Sequence, residues 1–197
     1  MNTPMNAPPA AARPAAQSRP ITAIPELAAK AIEFLQACSP KFQLSPDEAA
    51  SIVAMMRVVS YAPGASVFRA GEATNTSYML LVLEGDISVD TGNVGGADKI
   101  DISILGPGAL IGELSLIDGA PRSANCTAVT AVTAAGLAVG GLHRLAEQAP
   151  QVATKLAIFI AQNAADRLRA LSEQLQMYDQ LNLSLHQEIA RLKSGGR

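Results

Sequence analysis

Hydrophobic residues change their spacing along this chain, and the change divides it into helical and extended segments. From Glu26 to Cys38 they recur every three or four residues, which predicts an amphipathic helix. The run Ser45-Pro46-Asp47-Glu48 has the order of a capping box and begins a second helix, which we expect to reach about Val58. Helices therefore occupy residues 26–60 in the predicted organisation.

The spacing after this region becomes that of β-strands. Apolar and β-branched runs alternate with turns rich in Gly and Pro. Residues 78–83 are apolar on both faces, as in a strand that is buried on two sides, whereas residues 98–105 alternate and place their isoleucines on one face. With further strands predicted in residues 122–140, the pattern indicates a sandwich, barrel or jelly roll over residues 61–140.

Helical spacing returns in residues 141–193. A short helix is predicted at 141–148, and Pro150 begins a long one because neither Gly nor Pro occurs in residues 151–193. Eight residues of this long helix follow steps of three and four and form a heptad seam: Leu168, Leu171, Leu175, Tyr178, Asn182, Leu185, Ile189 and Leu192. A lone Asn at an a-type position favours two parallel strands, so we expect a homodimer held by a coiled coil. A helix packed on its own domain is the alternative.

The N-terminal residues 1–25 differ in composition from the rest of the chain. They contain six of the twelve prolines, many alanines and no acidic residue. Frequent proline blocks regular backbone hydrogen bonding, and the segment has too few large apolar residues to form a core. We predict a disordered tail. The alternative is an organelle transit peptide, which the prolines disfavour because they interrupt the amphipathic helix that it needs.

Overall composition narrows the classes of function. The chain has 197 residues, of which 49% are hydrophobic, and a net charge of −2, which indicates a folded protein without a general attraction for nucleic acid. No apolar run has the length of a membrane span or the form of a secretory signal, so we expect a cytoplasmic protein. Cys38 and Cys126 are expected to be free thiols, and with two histidines in the chain no metal site is predicted.

Candidate chemistry is concentrated in residues 106–126. Gly112 permits a close approach of the backbone and precedes a short apolar helix whose free N–H groups can face an anion. Arg122 and Ser123 add donors for phosphate oxygens, while the Glu113 carboxylate can accept a hydrogen bond from a sugar hydroxyl. The pattern predicts a pocket for a sugar phosphate. In the alternative, Glu113 caps the helix and pairs with Arg122, and the glycines serve turns.

The order of these residues resembles the phosphate-binding cassette of the cyclic nucleotide-binding domain family: Gly112-Glu113-Leu114-Ser115-Leu116, a short spacer, and Pro121-Arg122-Ser123-Ala124. Turns of the same family correspond to residues 61–64, 71–72, 84–86 and 106–108, and the resemblance covers about residues 40–175. It implies an eight-stranded jelly-roll β-barrel flanked by helices, with Glu113 on the ribose and Arg122 on the phosphate. The remaining ligand-binding residues that it implies are Gly112, Leu114, Ser115, Ser123 and Ala124.

The resemblance indicates which residues bind the phosphate and the sugar, but it indicates less well which residues contact the base. A well-known bacterial regulator of the family contacts adenine through a Thr-Ser pair on the long helix, and an ungapped count from Arg122 reaches Arg167-Leu168 in this chain. Arg167 can instead cover the base, as in channel-type members, or it can be a solvated surface residue beside Asp166. Cyclic AMP is therefore preferred only modestly over cyclic GMP, and cyclic di-GMP is a further alternative.

The resemblance implies a regulatory function without catalysis or a cofactor. Transcription regulators of the family continue into a helix-turn-helix domain, whereas this sequence ends at Arg197, so we expect a stand-alone receptor that does not bind DNA. Ligand would move the helices after Gly141 and signal to an unidentified protein partner. A dimeric scaffold with a vestigial pocket is the alternative. An enzyme is disfavoured because neither histidine has metal-ligand spacing and no Ser–His–acid relay is evident.

Overall fold

Nine strands and five α-helices form the part of the chain that the computed structural model describes, residues 18–37, 43–74, 76–90 and 102–194. The strands are β1 Arg19–Pro20, β2 Arg57–Tyr61, β3 Ser66–Phe68, β4 Tyr78–Glu84, β5 Ile87–Asp90, β6 Ile102–Leu105, β7 Leu110–Ile111, β8 Asn125–Ala128 and β9 Val132–Ala138. The helices are α1 Pro25–Ala37, α2 Pro46–Val53, α3 Glu113–Asp118, α4 Val139–Gln148 and α5 Pro150–Ser194, with a 3₁₀ turn at Ile21–Ala23. One structural unit ends at Ala157, and a second, formed by the remainder of α5, begins at Ile158.

The strands form two antiparallel sheets. One has the order β1-β2-β9-β4-β7, and the other has the order β3-β8-β5-β6. Buried side chains from both sheets meet in one core cluster: Tyr61, Val67, Phe68, Leu80, Val82, Ile87, Ile111, Cys126, Ala128, Val132 and Ala134. Two sheets that share a core in this way are the architecture of a jelly roll. The predicted β-rich fold with flanking helices and a long C-terminal helix is confirmed.

The predicted strand at 78–83 corresponds to β4, which pairs with β9 on one side and β7 on the other. Its residues 79–83 have no exposed surface. A strand covered on both faces requires such a continuous apolar run, so the prediction of burial on both sides is confirmed. The predicted strand at 98–105 is described from Ile102 onward as β6, and its position at the sheet edge leaves the Ile104 side chain exposed.

The turn between β4 and β5 depends on Gly85. This residue has φ +80°, and a Cβ atom there would lie 2.2 Å from the carbonyl oxygen of Ala131. The next residue, Asp86, donates its N–H to Thr130 Oγ1 at 2.9 Å. Glycine is required because both the left-handed backbone and the close approach of the loop before β9 exclude a side chain.

Helix α2 begins as predicted and ends earlier than predicted. Ser45 Oγ accepts the Glu48 N–H at 3.2 Å, and Glu48 Oε2 accepts the Ser45 N–H at 2.9 Å, which confirms the capping box. The predicted end near Val58 is wrong, because α2 ends at Val53 and β2 begins at Arg57. Pairing of β2 with β9 overrides the helical spacing of this apolar segment, since β-branched residues fit a sheet better than a helix.

The predicted boundary of the N-terminal tail is also corrected. Arg19 and Pro20 pair with β2, and Ile21 has no exposed surface. Proline is compatible with this short edge strand because an edge position does not require its missing N–H group, and Ile21 supplies an apolar anchor. The predicted disorder therefore does not hold for residues 19–25, and residues 1–17 lie outside the described part of the chain.

Helices α4 and α5 begin close to the predicted positions. Lys155, near the start of α5, places Nζ 2.6 Å from Oε1 and 2.7 Å from Oε2 of Glu48, so one carboxylate caps α2 and joins it to α5. This hydrogen bond, with that from Ser45, lowers the pKa of Glu48. No helix within the described ranges has both the length and the hydrophobicity needed to cross a membrane.

Candidate functional site

Helix α3 follows β7 through a single left-handed residue, Gly112. It is the N-cap of α3 with φ +74°, and a Cβ atom at this position would lie 2.3 Å from Arg122 Nη1 and 2.8 Å from Phe68 Cε2. Both the backbone conformation and the absence of a side chain are therefore needed for Arg122 to reach α3. We call residues 112–124 the cassette.

Three charged or polar side chains are buried in the described part of the chain, and all three belong to the cassette. Glu113 is 1% exposed, Arg122 is 3% exposed and Ser115 is 5% exposed. Charged side chains are rarely buried in this way unless they have a specific role, because they lose hydration. Within the described residues, the buried charged and polar side chains are therefore gathered in the cassette.

Arg122 is held at both its side chain and its backbone. Nη1 donates to the Gly112 carbonyl at 2.9 Å, and Nη2 donates to the Tyr78 carbonyl at 2.8 Å. The Arg122 N–H donates to the Glu72 carbonyl at 3.0 Å, and its carbonyl accepts the Gly71 N–H at 2.8 Å. The predicted turn at 71–72 is therefore the backbone support of Arg122.

Two aromatic rings complete the surroundings of the guanidinium. Arg122 Cζ lies 3.7 Å from the centroid of the Phe68 ring and 5.0 Å from that of Tyr78. The two rings are 5.4 Å apart and inclined by 48°. Burial lowers the pKa of Arg122, an effect that Tyr78 partly opposes, and burial likewise raises the pKa of Tyr61 and of Tyr78. The charge of Arg122 is thus placed against aromatic faces in a region of low dielectric constant.

Phe68 was not identified as a site residue from the sequence. It belongs to a short apolar run, and that pattern is the same for a core side chain and for one that contacts a buried cation. A β-bulge lies between Ser66 and Phe68, and no turn residue in the sequence marks it. Sequence spacing therefore carries no signal that separates Phe68 from its neighbours.

The other predicted ligand residues occupy different environments. Leu114 is 42% exposed on α3, Ser123 is exposed, and Ala124 is half-buried. Contact is thus seen between Gly112 and Arg122, while Glu113 and Ser115 are buried on α3 and the other three residues are more exposed.

Arg167 is an exposed residue of α5 in the second unit. Asp166, the acidic residue that we considered its neighbour, forms an ion pair with Arg169. The predicted role of Arg167 over the base stays a prediction.

The seam of α5 is exposed wherever its side chains are described. The exposed apolar side chains are Leu168, Leu171, Leu175, Tyr178, Leu185 and Ile189, and Asn182 is exposed with them. The Leu192 side chain lies outside the described part of the chain. Met177, Leu181 and Leu183 of the same helix lie outside the seam and are exposed as well, so the coiled coil stays a prediction.

In the described part of the chain, no three His, Cys, Asp or Glu side chains form a group that could hold a metal ion. Cys126 is a buried free thiol, as predicted, and Cys38 lies outside the described residues.

Comparison with known proteins points to one family. The family model described as "Cyclic nucleotide-binding domain" matches residues 58–149. The chain is 37% identical to a cyclic nucleotide-gated potassium channel of Mesorhizobium japonicum over 60% of its own length and 31% of the channel. It is 31% identical to the cyclic AMP receptor protein of Thermus thermophilus over 71% of its own length and 62% of that protein. The chain thus spans about a third of the first relative and about three fifths of the second.

A solved structure shows the same fold. A cyclic nucleotide-binding domain from Methylobacillus flagellatus matches with a TM-score of 0.66 and 26% identity, over 73% of this chain and 79% of that one. The residues that the family model matches, 58–149, include the cassette and strands β3 to β9.

Proposed function

We propose that this chain, which belongs to the cyclic nucleotide-binding domain family, is a non-catalytic receptor whose cassette binds cyclic AMP. The observation that carries the proposal is the buried guanidinium of Arg122, which reaches the N-cap residue of α3. A guanidinium offers a planar fork of donors that matches the oxygens of a phosphate. A receptor for a cyclic phosphodiester needs these donors and no group that would hydrolyse the ester.

Glu113 and Ser115 supply the remaining polar contacts in this proposal. The Glu113 carboxylate is an acceptor beside the phosphate donors, and we assign it to the ribose 2′-hydroxyl. Ser115 and the N–H groups at the start of α3 face the phosphate, together with Ser123 at the open side of the cassette. Leu114 and Ala124 provide apolar contact with the sugar and the base.

Cyclic AMP is the first choice of ligand because the Thermus thermophilus relative is named a cyclic AMP receptor protein. The exposed hydroxyl of Ser123 can also serve guanine, so cyclic GMP is the second choice and cyclic di-GMP the third. Arg167 stays the sequence-based candidate for contact with the base. The cytoplasmic location inferred from composition stays a prediction.

Signalling requires a surface that depends on the ligand. We assign this role to the helices after Gly141 and to a parallel homodimer formed through the seam of α5, which is exposed in the single chain. Ligand can shift these helices only if it binds two arrangements with different affinity, and a protein partner would then recognise one of them. The same exposed seam also fits the second candidate function, a dimeric scaffold whose pocket is vestigial.

Isothermal titration calorimetry with cyclic AMP, cyclic GMP and cyclic di-GMP tests the proposal. We expect cyclic AMP to bind most tightly and Arg122→Ala to weaken it by about tenfold or more, because hydrogen bonds to a charged group contribute about 1.5–3 kcal/mol. Arg144→Ala is the matched control, since Arg144 is exposed on α4 and should leave the affinity unchanged.

The outcomes separate the two candidate functions. If none of the three nucleotides binds to a protein that is folded and dimeric, the scaffold function is favoured. If Arg122→Ala binds as tightly as the unaltered chain, the cassette assignment is wrong. Because Arg122 is buried, Arg122→Lys is measured alongside it, and thermal melting shows whether each variant is folded.

A further inference from the structure

Phe68 covers one face of the Arg122 guanidinium, and both groups lie against Gly112. The ring is 1% exposed, and Arg122 Cζ lies 3.7 Å from its centroid. A guanidinium is flat and donates from its edge, so a ring on its face does not compete for the edge donors. Those edge donors are directed to the carbonyls of Gly112 and Tyr78.

The backbone of β3 fixes the Phe68 ring in this place. Ser66 pairs with Thr127 and Phe68 pairs with Cys126, so two steps on β3 oppose one step on β8. A bulge of this kind re-aims a side chain relative to regular alternation. Both Val67 and Phe68 are buried as a result, although adjacent residues of a regular strand point to opposite faces.

Gly112 packs against both the Phe68 ring and the Arg122 guanidinium. A Cβ atom there would lie 2.8 Å from Phe68 Cε2 and 2.3 Å from Arg122 Nη1, so the ring, the guanidinium and the N-cap of α3 are in mutual contact. A change in the ring therefore alters the plane of the guanidinium directly. Electrostatic attraction between a cation and an aromatic face is strongest when both are desolvated, as they are here.

We propose that Phe68 is a positioning residue for phosphate recognition: its ring face sets the plane of the Arg122 guanidinium and so holds Nη1 at the N-cap residue of α3. The inference rests on the proposed function, because it assigns a role to Phe68 in the binding of the same ligand. Phe68 acts through Arg122 and does not itself contact the phosphate. A side chain that only fills the core would contribute to stability and to binding without regard to Arg122.

A double-mutant cycle in cyclic AMP affinity distinguishes these roles. The variants are Phe68→Met, which keeps most of the volume and removes the ring, Arg122→Met, and the two combined. We expect Phe68→Met to weaken cyclic AMP binding by about tenfold in the unaltered background and by less than about twofold in the Arg122→Met background. Phe68→Tyr keeps the ring face and should restore affinity to within about threefold of the unaltered chain.

Phe34→Met is the matched control, because Phe34 lies on α1 and outside the cassette, and we expect it to bind as the unaltered chain does. Thermal melting is recorded for every variant, and Phe68→Leu replaces Phe68→Met if the latter is unfolded. Equal losses from Phe68→Met with and without Arg122 would overturn the inference, as would full affinity in Phe68→Met or loss of binding in a folded Phe68→Tyr. If the unaltered chain binds no cyclic nucleotide, the proposed function fails as well, which is a different result from a cycle without coupling.

Discussion

The cassette and the C-terminal part of α5 depart from the usual distribution of polar and apolar residues in opposite directions. The cassette buries Glu113, Ser115 and Arg122, whereas α5 exposes a row of leucines that includes Leu168 and Leu175. A buried charge is costly unless it has specific partners, and an exposed apolar row is costly unless it is covered. In the proposed function the first departure serves a small polar ligand, and the second is covered by another protein surface.

The two regions also differ in what holds them in place. Arg122 is fixed by two side-chain hydrogen bonds, two backbone hydrogen bonds and an aromatic face. The seam of α5 has the helical backbone as its framework, and its exposed leucines would be covered only in the proposed dimer. A change in the cassette should therefore alter ligand affinity and folding of one chain, and a change in the seam should alter assembly.

The largest expected effect is that of Leu175→Lys on the dimer. Burial of a leucine contributes about 1.5–3 kcal/mol, and a symmetric dimer loses two of them and places two positive charges close together. The dimer dissociation constant should rise by about 100-fold or more. Sedimentation velocity over a range of protein concentrations measures it.

Leu183→Lys is the control for this prediction. Leu183 is exposed on the same helix to a similar degree, 63% against 65% for Leu175, but it lies outside the heptad seam. It should leave the dimer unchanged. A dimer that survives Leu175→Lys, or that both variants disrupt equally, would show that the seam is not the interface.

Much of the fold could be predicted from the sequence because local patterns and the tertiary structure agree over long stretches. The capping box at Ser45, the doubly buried strand β4 and the start of α5 at Pro150 are examples. In each of them a local rule, such as a proline in the first turn or an uninterrupted apolar run, is reinforced by the packing. Gly112 was also recognised, because a glycine before a short helix permits a close approach of the backbone.

The predictions that differ from the structure depend on contacts distant in sequence. Helical spacing continues past Val53, yet pairing with β9 converts Arg57–Tyr61 into β2. The bulge that turns Phe68 toward Arg122 arises from pairing with β8, more than 50 residues later in the chain. Neither pairing partner is indicated by the local pattern, since a strand does not specify in its own sequence which strand it will join.

The second prediction concerns Gly112→Ala, which should lower the stability of the single chain. The left-handed backbone costs a non-glycine residue about 1–2 kcal/mol, and the clash with Arg122 and Phe68 adds about 1–3 kcal/mol. The free energy of unfolding should fall by about 2–5 kcal/mol, and cyclic AMP affinity should fall with it. Urea denaturation and calorimetry measure the two effects.

Gly119→Ala separates the cost of the left-handed backbone from the cost of the steric clash. Gly119 caps the other end of α3 with φ +68°, and a Cβ atom there meets no other atom within 4 Å. It should therefore show the backbone cost alone, about 1–2 kcal/mol, with ligand affinity retained. If Gly112→Ala is no more destabilising than Gly119→Ala, the close packing of Arg122 against α3 is incorrect.

The smallest expected effect is that of Glu113→Gln, and it tests whether the buried carboxylate serves the ligand or only the helix. In the proposed function Glu113 accepts a hydrogen bond from the ribose 2′-hydroxyl, and loss of its charge should weaken cyclic AMP by about tenfold. Affinity for 2′-deoxy cyclic AMP should change by less than about twofold, because that ligand lacks the hydroxyl. Glu147→Gln, an exposed residue of α4, is the control for the charge change. Equal losses for both ligands would instead make Glu113 a structural residue at the N-terminus of α3, since a role in the fold does not depend on the sugar.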